Sequence, residues 1–205
     1  LTPVSIIQSK LDNILSEAEL PEKDLIKILD SKKTLRRLTN LVRTLLMMSR
    51  IENEEYILTE KVNVVNTLKN VIEEIEDKIA AKELELSLTL RESDFLFNGN
   101  ENLLFTLFYN MINNAIRYTE KGFIRLETSK NNTYYVVKIS DTGSGIEPEK
   151  LPHIFSRFKN SSEVKDSFGL GLALAKKISD YHKIDIKVES EVGKGTTFIL
   201  QFPLS

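Results

Sequence analysis

The stretch Asn110-Met111-Ile112-Asn113-Asn114-Ala115-Ile116-Arg117-Tyr118-Thr119 decides the fold. Its apolar members continue the spacing of Leu103, Leu104, Leu107 and Phe108, which predicts an amphipathic helix over 101–118. Asn110, Asn114 and Arg117 are four and three residues apart and so share one face of it. Two neutral amide oxygens suit Mg²⁺, which takes oxygen ligands and leaves room for water and phosphate. Arg117 adds a positive charge for phosphate, and Tyr118 a ring that can border a base. Alone, the same stripe serves equally well as a polar surface.

Downstream, Asp141-Thr142-Gly143-Ser144-Gly145-Ile146 directly follows a predicted strand. Glycines there let a ligand approach the backbone, and a carboxylate can accept a hydrogen bond from an exocyclic amine such as that of adenine. Many tight turns share the D-x-G-x-G pattern. Gly169-Leu170-Gly171-Leu172 opens a helix predicted over 170–182, where free amide hydrogens and the positive dipole end can meet a phosphate chain. Close packing at a helix start would use the same residues. Gly193-Lys194-Gly195-Thr196-Thr197 reads as a hairpin turn between strands expected at 184–190 and 196–202.

The rest supplies a frame. An extended piece near Ile57-Leu58 leads to Asn63, an expected N-cap for a helix over 64–82. Leu84, Leu86, Leu88 and Leu90 alternate as a half-buried strand, and Asn131-Asn132 joins strands at 122–129 and 133–140. Helices interspersed with mixed strands predict a two-layer α/β sandwich. Residues 1–56 have another grammar: no glycine, and apolar positions Val4, Ile7, Leu11, Ile14, Ile28, Leu35, Leu38, Val42 and Leu45 in 3-4 spacing. Pro21 can open a second helix but not continue the first. The expectation is a helical hairpin that dimerises into a four-helix bundle, or packs against its own chain. The fold class is therefore α+β.

The chain has 205 residues, 41% of them hydrophobic and 28% charged, ordinary globular composition. A net charge of −2 lacks the basic surplus of a dedicated nucleic-acid or anionic-membrane binder. The absence of cysteine excludes disulfides and thiolate sites, and with only His153 and His182 a multi-histidine metal centre is nearly excluded as well. No apolar run reaches the roughly 20 residues of a membrane span. The start at Leu1-Thr2-Pro3, without Met, reads as that of a fragment.

Together these patterns, with Ile154-Phe155-Ser156-Arg157-Phe158, resemble the N box, glycine boxes and phenylalanine box of the sensor histidine kinases, whose ATP-binding domain has the Bergerat (GHKL) fold. The resemblance implies a dimerisation and phosphotransfer hairpin at 1–56 and a catalytic ATP-binding domain at 57–205. It implies that Asp141 binds the adenine amino group and that Asn114, with Asn110, holds Mg²⁺ and the phosphates. Arg117 takes the family's basic position and Tyr118 borders the adenine. Gly143, Gly145, Ile146, Gly169, Leu170, Gly171 and Leu172 shape the pocket and lid, and Thr197 lines its base end. Residues 147–168 form the lid, from which Arg157, Lys159 and Lys165 reach phosphate, while Phe155 and Phe158 dock it on the hairpin.

ATP-hydrolysing relatives such as gyrase carry glutamate where this chain has Asn110. Glutamate can act as a general base toward water and an amide cannot, which favours a kinase over an ATPase. The reaction implied moves the γ-phosphoryl of ATP to a histidine and then to an aspartate of a cytoplasmic response regulator. Of the family's acceptor motif His-Glu-Leu-(Arg/Lys)-Thr-Pro only the tail is present, so the expected histidine lies three residues before Leu1. On that reading the chain binds Mg-ATP without phosphorylating itself, and His153 and His182 are structural. Lys183-Ile184 stand where two glycines often follow the family's histidine, so a different turn is expected after His182. Thr2 occupies the position linked to dephosphorylating the regulator, or else caps its helix. The fragment would be the cytoplasmic portion of a membrane-anchored sensor, a homodimer through residues 1–56 that touches neither nucleic acid nor membrane. Two rivals stay open: a dimeric scaffold regulated by ATP without catalysis, and a GHKL ATPase.

Overall fold

A computed structural model describes residues 2–17, 20–158 and 168–204. Helices α1 (Thr2–Glu17) and α2 (Glu22–Glu52) form the hairpin, with Pro21 at the start of the second. Lys32 of α2 bonds Asp12 of α1 and sets their register. The apolar seam is not consumed within the chain: its Ile7, Ile14, Leu38 and Leu45 are all exposed.

Beyond it come β1 (Glu60–Asn63), α3 (Val64–Ala81), β2 (Glu85–Leu90), β3 (Leu96–Gly99) and α4 (Glu101–Tyr118). Then follow β4 (Phe123–Lys130), β5 (Tyr134–Asp141), a 3-10 turn (Leu151–His153), α5 (Gly171–Tyr181), β6 (Asp185–Glu191) and β7 (Gly195–Pro203). Five strands in the order β2-β4-β5-β7-β6 make one sheet. It is antiparallel except for the parallel pair β2 and β4, whose connection runs through α4. The inward residues Ile124, Leu126, Val137, Ile139, Phe198 and Leu200 are buried and meet α3, α4 and α5 in one core. This is the expected α/β sandwich behind a helical hairpin.

Polar side chains close the helix ends, Asn63 where expected and Asn100 and Lys82 in addition. Asn63 caps α3 by accepting from Asn66 N at 2.9 Å, and Asn100 caps α4 by accepting from Leu103 N at 3.1 Å. Lys82 donates to the carbonyls of Ile116, Arg117 and Thr119, closing the negative end of α4 just beyond Arg117.

Three expectations shift. The extended piece near Ile57-Leu58 is not a strand; pairing starts at Glu60, against β3, which the sequence pattern did not show. A strand of four residues is too short for alternation to register. The leucine alternation of β2 faces inward, yet Leu88 is 46% exposed, because an edge strand is covered by a neighbour on one side only. Lys183, after α5, adopts φ +58, the left-handed conformation that glycine takes most readily, so the helix ends in glycine-like geometry without a glycine.

His182 is buried, its Nδ1–H donating to Ile178 O at 2.8 Å and its Nε2 accepting from Asn100 N at 3.1 Å. Both ring nitrogens are thus used by the neutral form, and burial pushes the imidazole below its ordinary value of 6.5. The unfolded chain binds a proton near that value while the folded chain resists it. The stability this histidine contributes is complete above pH 6.5 and is lost as pH falls toward the depressed folded value. Urea midpoints between pH 7.5 and 5.5 are expected to fall with pH, and to flatten when Asn100 N is given another partner by His182→Gln.

Candidate nucleotide site

Because Met111, Ile112 and Ala115 are fully buried, α4 must turn Asn110, Asn114 and Arg117 outward. All three, with Asn113 and Tyr118, line a cavity of about 560 Å³. Asn110 donates from Nδ2 to Thr106 O at 2.8 Å, which directs its Oδ1 away from the helix. A Cβ on Gly171 would lie 2.8 Å from that oxygen, so a larger residue there would push the Asn110 amide aside. Leu170 and Gly169 complete this end, where the N-terminus of α5 meets the amide face of α4.

Asp141 forms another wall at the end of β5. It is 8% exposed, and its Oδ1 accepts from Gly143 N at 2.9 Å and Thr196 N at 3.2 Å. Both bonds fall on one oxygen, leaving Oδ2 to the cavity. Burial pushes the carboxyl above its ordinary value, and the two N–H groups pull it partly back. Gly145 takes φ +70, and a Cβ there would strike Glu191 O, so the loop and the β6–β7 turn close on each other behind Ile146.

Thr197 is corrected. Its hydroxyl donates to Ser140 Oγ at 2.9 Å, and its pairing with Ser140 puts it on the sheet face away from Asp141. Strand periodicity hands the role to its neighbour: Thr196 is buried, lines the cavity and bonds Asp141. Arg157 also departs from expectation, since it pairs with Glu52 of α2 at 2.8 Å instead of lining the cavity. Lys177 reaches the same carboxylate at 2.6 Å, and the two cations hold Glu52 below its ordinary value. Phe155 packs against the core, whereas Phe158 is 51% exposed. Lys159, Lys165 and the Thr2 side chain lie outside the described residues. Gly143 sits behind Asp141, and Leu172 on the cavity wall.

The sequence reading missed the contribution of the hairpin: Arg37, Asn40, Leu41 and Thr44 of α2 form a side of the same cavity. No local pattern marks them, because they meet the cavity only where α2 docks on residues more than 60 positions away.

Residues 99–205, just over half of the chain, match the family model described as histidine kinase-, DNA gyrase B- and HSP90-like ATPase. The chain belongs to this family. Within it the relatives are sensor histidine kinases. The sensor histidine kinase RppB of Synechocystis sp. is 34% identical over 175 residues, covering 82% of this chain and 38% of that protein. The sensor protein SrrB of Staphylococcus aureus is 32% identical over 212 residues, covering 98% of this chain and 36% of that protein. The histidine kinase AdeS of Acinetobacter baumannii superposes with a TM-score of 0.71 at 25% identity, covering 100% of this chain and 96% of that structure. The chain spans under two fifths of the length of these two relatives. The match includes the hairpin as well as the ATP-binding domain. Among the described residues, no helix is long and apolar enough to cross a membrane.

Proposed function

We propose that this chain is the catalytic core of a two-component sensor kinase that transfers the γ-phosphoryl of ATP to a histidine, and thence to a response-regulator aspartate. Residues 1–56 are its dimerisation and phosphotransfer hairpin and 57–205 its catalytic domain. The observation that carries the reading is the fixed orientation of Asn110: its NH₂ is spent on Thr106 O, and an amide oxygen faces the α5 N-terminus across Gly171. A neutral acceptor there can hold a cation or position phosphate but cannot deprotonate water, which favours transfer over hydrolysis.

Asp141 would accept the adenine amino group through Oδ2, Tyr118 and Ile146 would border the ring, and the α5 N-terminus with Arg117 would hold the phosphates. The donor set fits Mg²⁺ as a companion of phosphate and not as a resident ion. Among the described residues no three His, Cys, Asp or Glu side chains could hold a metal, whereas Asn110 and Asn114 offer the neutral oxygens that Mg²⁺ accepts beside phosphate. Bound there, the ion would neutralise charge on the transferring group. The exposed seam of α1 and α2 supports dimerisation, and the relatives support a response regulator as partner and a cytoplasmic position beneath a membrane-anchored sensor. Thr2 is retained as the family's phosphatase position.

Calorimetry with a non-hydrolysable ATP analogue tests the site. Binding is expected to tighten at least tenfold with Mg²⁺, and Asn114→Ala to remove that gain while leaving metal-free binding nearly unchanged. Equal affinity with and without Mg²⁺ would refute the metal role of Asn114.

A further inference from the structure

The face that α2 turns toward the catalytic domain changes character along its length. Arg37, Leu41, Thr44, Met48 and Ile51 follow at intervals of four, three, four and three, one stripe of a helix distinct from the exposed seam. At its C-terminal end the stripe is a docking surface: Met48 and Ile51 are 2% and 4% exposed, and Tyr181 Oη of α5 donates to Tyr56 O just beyond. Toward the N-terminus it becomes polar and cationic, and there Arg37, Asn40 and Thr44 line the cavity opposite Asn110 and the α5 N-terminus. A face that only packed would stay apolar through this stretch. Polar groups join the apolar Leu41 where the facing surface stops being protein and becomes the cavity.

The remaining walls have little charge for a polyphosphate. Among the described residues of those walls, Asn110, Asn113 and Asn114 are neutral, and the carboxylates Asp141 and Glu147 are matched by Arg117 and Lys150. A cation on the opposing helix adds positive charge facing a third phosphate.

We infer that Arg37 of α2, with Asn40 beside it, is a specificity-determining residue of the nucleotide site: the hairpin supplies one wall, and its guanidinium contacts the phosphate arm, so that nucleotides are distinguished by phosphate count when the hairpin is seated. The inference rests on the nucleotide-site reading above and adds to it a contribution from outside the ATP-binding domain. Arginine suits the role because its planar fork meets phosphate oxygens in pairs, and such charge-assisted bonds are about twice as strong as neutral ones. A consequence is that binding of a triphosphate favours the docked arrangement of hairpin and catalytic domain, because only that arrangement includes the contact.

The test is calorimetry on the whole chain with Mg²⁺ and three probes: a non-hydrolysable ATP analogue, ADP and adenosine. Arg37→Ala is expected to weaken the triphosphate about tenfold, ADP by less and adenosine by under twofold. Arg37→Lys is expected to recover part of the loss, and Asn40→Ala to lose a smaller amount in the same order of probes. Circular dichroism is expected to show the hairpin intact, since alanine is the strongest helix former. Unchanged triphosphate affinity, an equal loss for all three probes, or tighter binding would overturn the inference; tighter binding would make α2 an obstructing cover. If the unaltered chain bound none of the probes, the nucleotide-site reading itself would fall, a result distinct from a silent Arg37→Ala.

Discussion

Asp141→Asn is expected to weaken adenine-nucleotide binding on the order of a hundredfold or more while leaving the unliganded domain at least as stable as before. Asp141 Oδ1 is committed to the N–H groups of Gly143 and Thr196, so the asparagine must keep its oxygen there. Its NH₂ then replaces Oδ2 in the cavity, and a donor faces the donor of the adenine amine. The mismatch strands both groups without partners, which costs more than losing one hydrogen bond. Stability moves the other way. A carboxyl whose folded value is raised contributes stability that is full below its unfolded value and lost as pH rises through the folded one. At neutral pH the ionised Asp141 is therefore a cost to the unliganded fold, which the neutral amide removes. Calorimetry with ADP and thermal unfolding of the same sample check both halves; unchanged ADP affinity would refute the assignment.

Gly195→Ala is expected to destabilise the fold by at least about 3 kcal/mol, and Gly193→Ala, two residues away, by only about 1 kcal/mol. Both glycines have positive φ, +112 and +78, so each alanine bears the strain of an unfavourable backbone conformation. Only at Gly195 does space run out as well: the new Cβ would lie 1.9 Å from Asp141 O, and Asp141 is paired with Thr196 next door. At Gly193 nothing lies within 4 Å. The clash at Gly195 also pushes against the strand end that carries Asp141, so nucleotide binding should be lost along with stability. Chemical unfolding of the two variants side by side checks the difference; equal losses would mean that conformational strain, not close approach, governs the turn.

What was legible in the sequence follows from the range of the forces involved. The α4 helix was readable end to end because its apolar period and the polar residues at 110, 114 and 117 point to the same element; its Asn100 cap emerges only in the structure. The hairpin and its break at Pro21 were equally local. β3 was not legible because four residues carry no periodicity, and its place depends on pairing with β1 more than 30 residues away. The choice between Thr196 and Thr197 depended on strand parity, which only the register with Ser140 and Asp141 settles. Arg157 was read as a phosphate ligand from its lid position, yet Glu52, 105 residues earlier, holds it on the hairpin. For the same reason the α2 wall of the cavity could not be read from the chain: it exists only through tertiary docking.

The central claim is that the pocket presents a phosphoryl group to a histidine on the hairpin and not to water. The most direct measurement extends the chain at its N-terminus with one helical turn bearing the family's His-Glu-Leu ahead of Leu1, and incubates it with γ-labelled ATP and Mg²⁺. The account predicts acid-labile, alkali-stable label that disappears when the added histidine is replaced or when Asn114 is changed to Ala, with little free phosphate released. Tight nucleotide binding with no label would contradict it in favour of a regulatory scaffold, and rapid phosphate release without label would contradict it in favour of an ATPase.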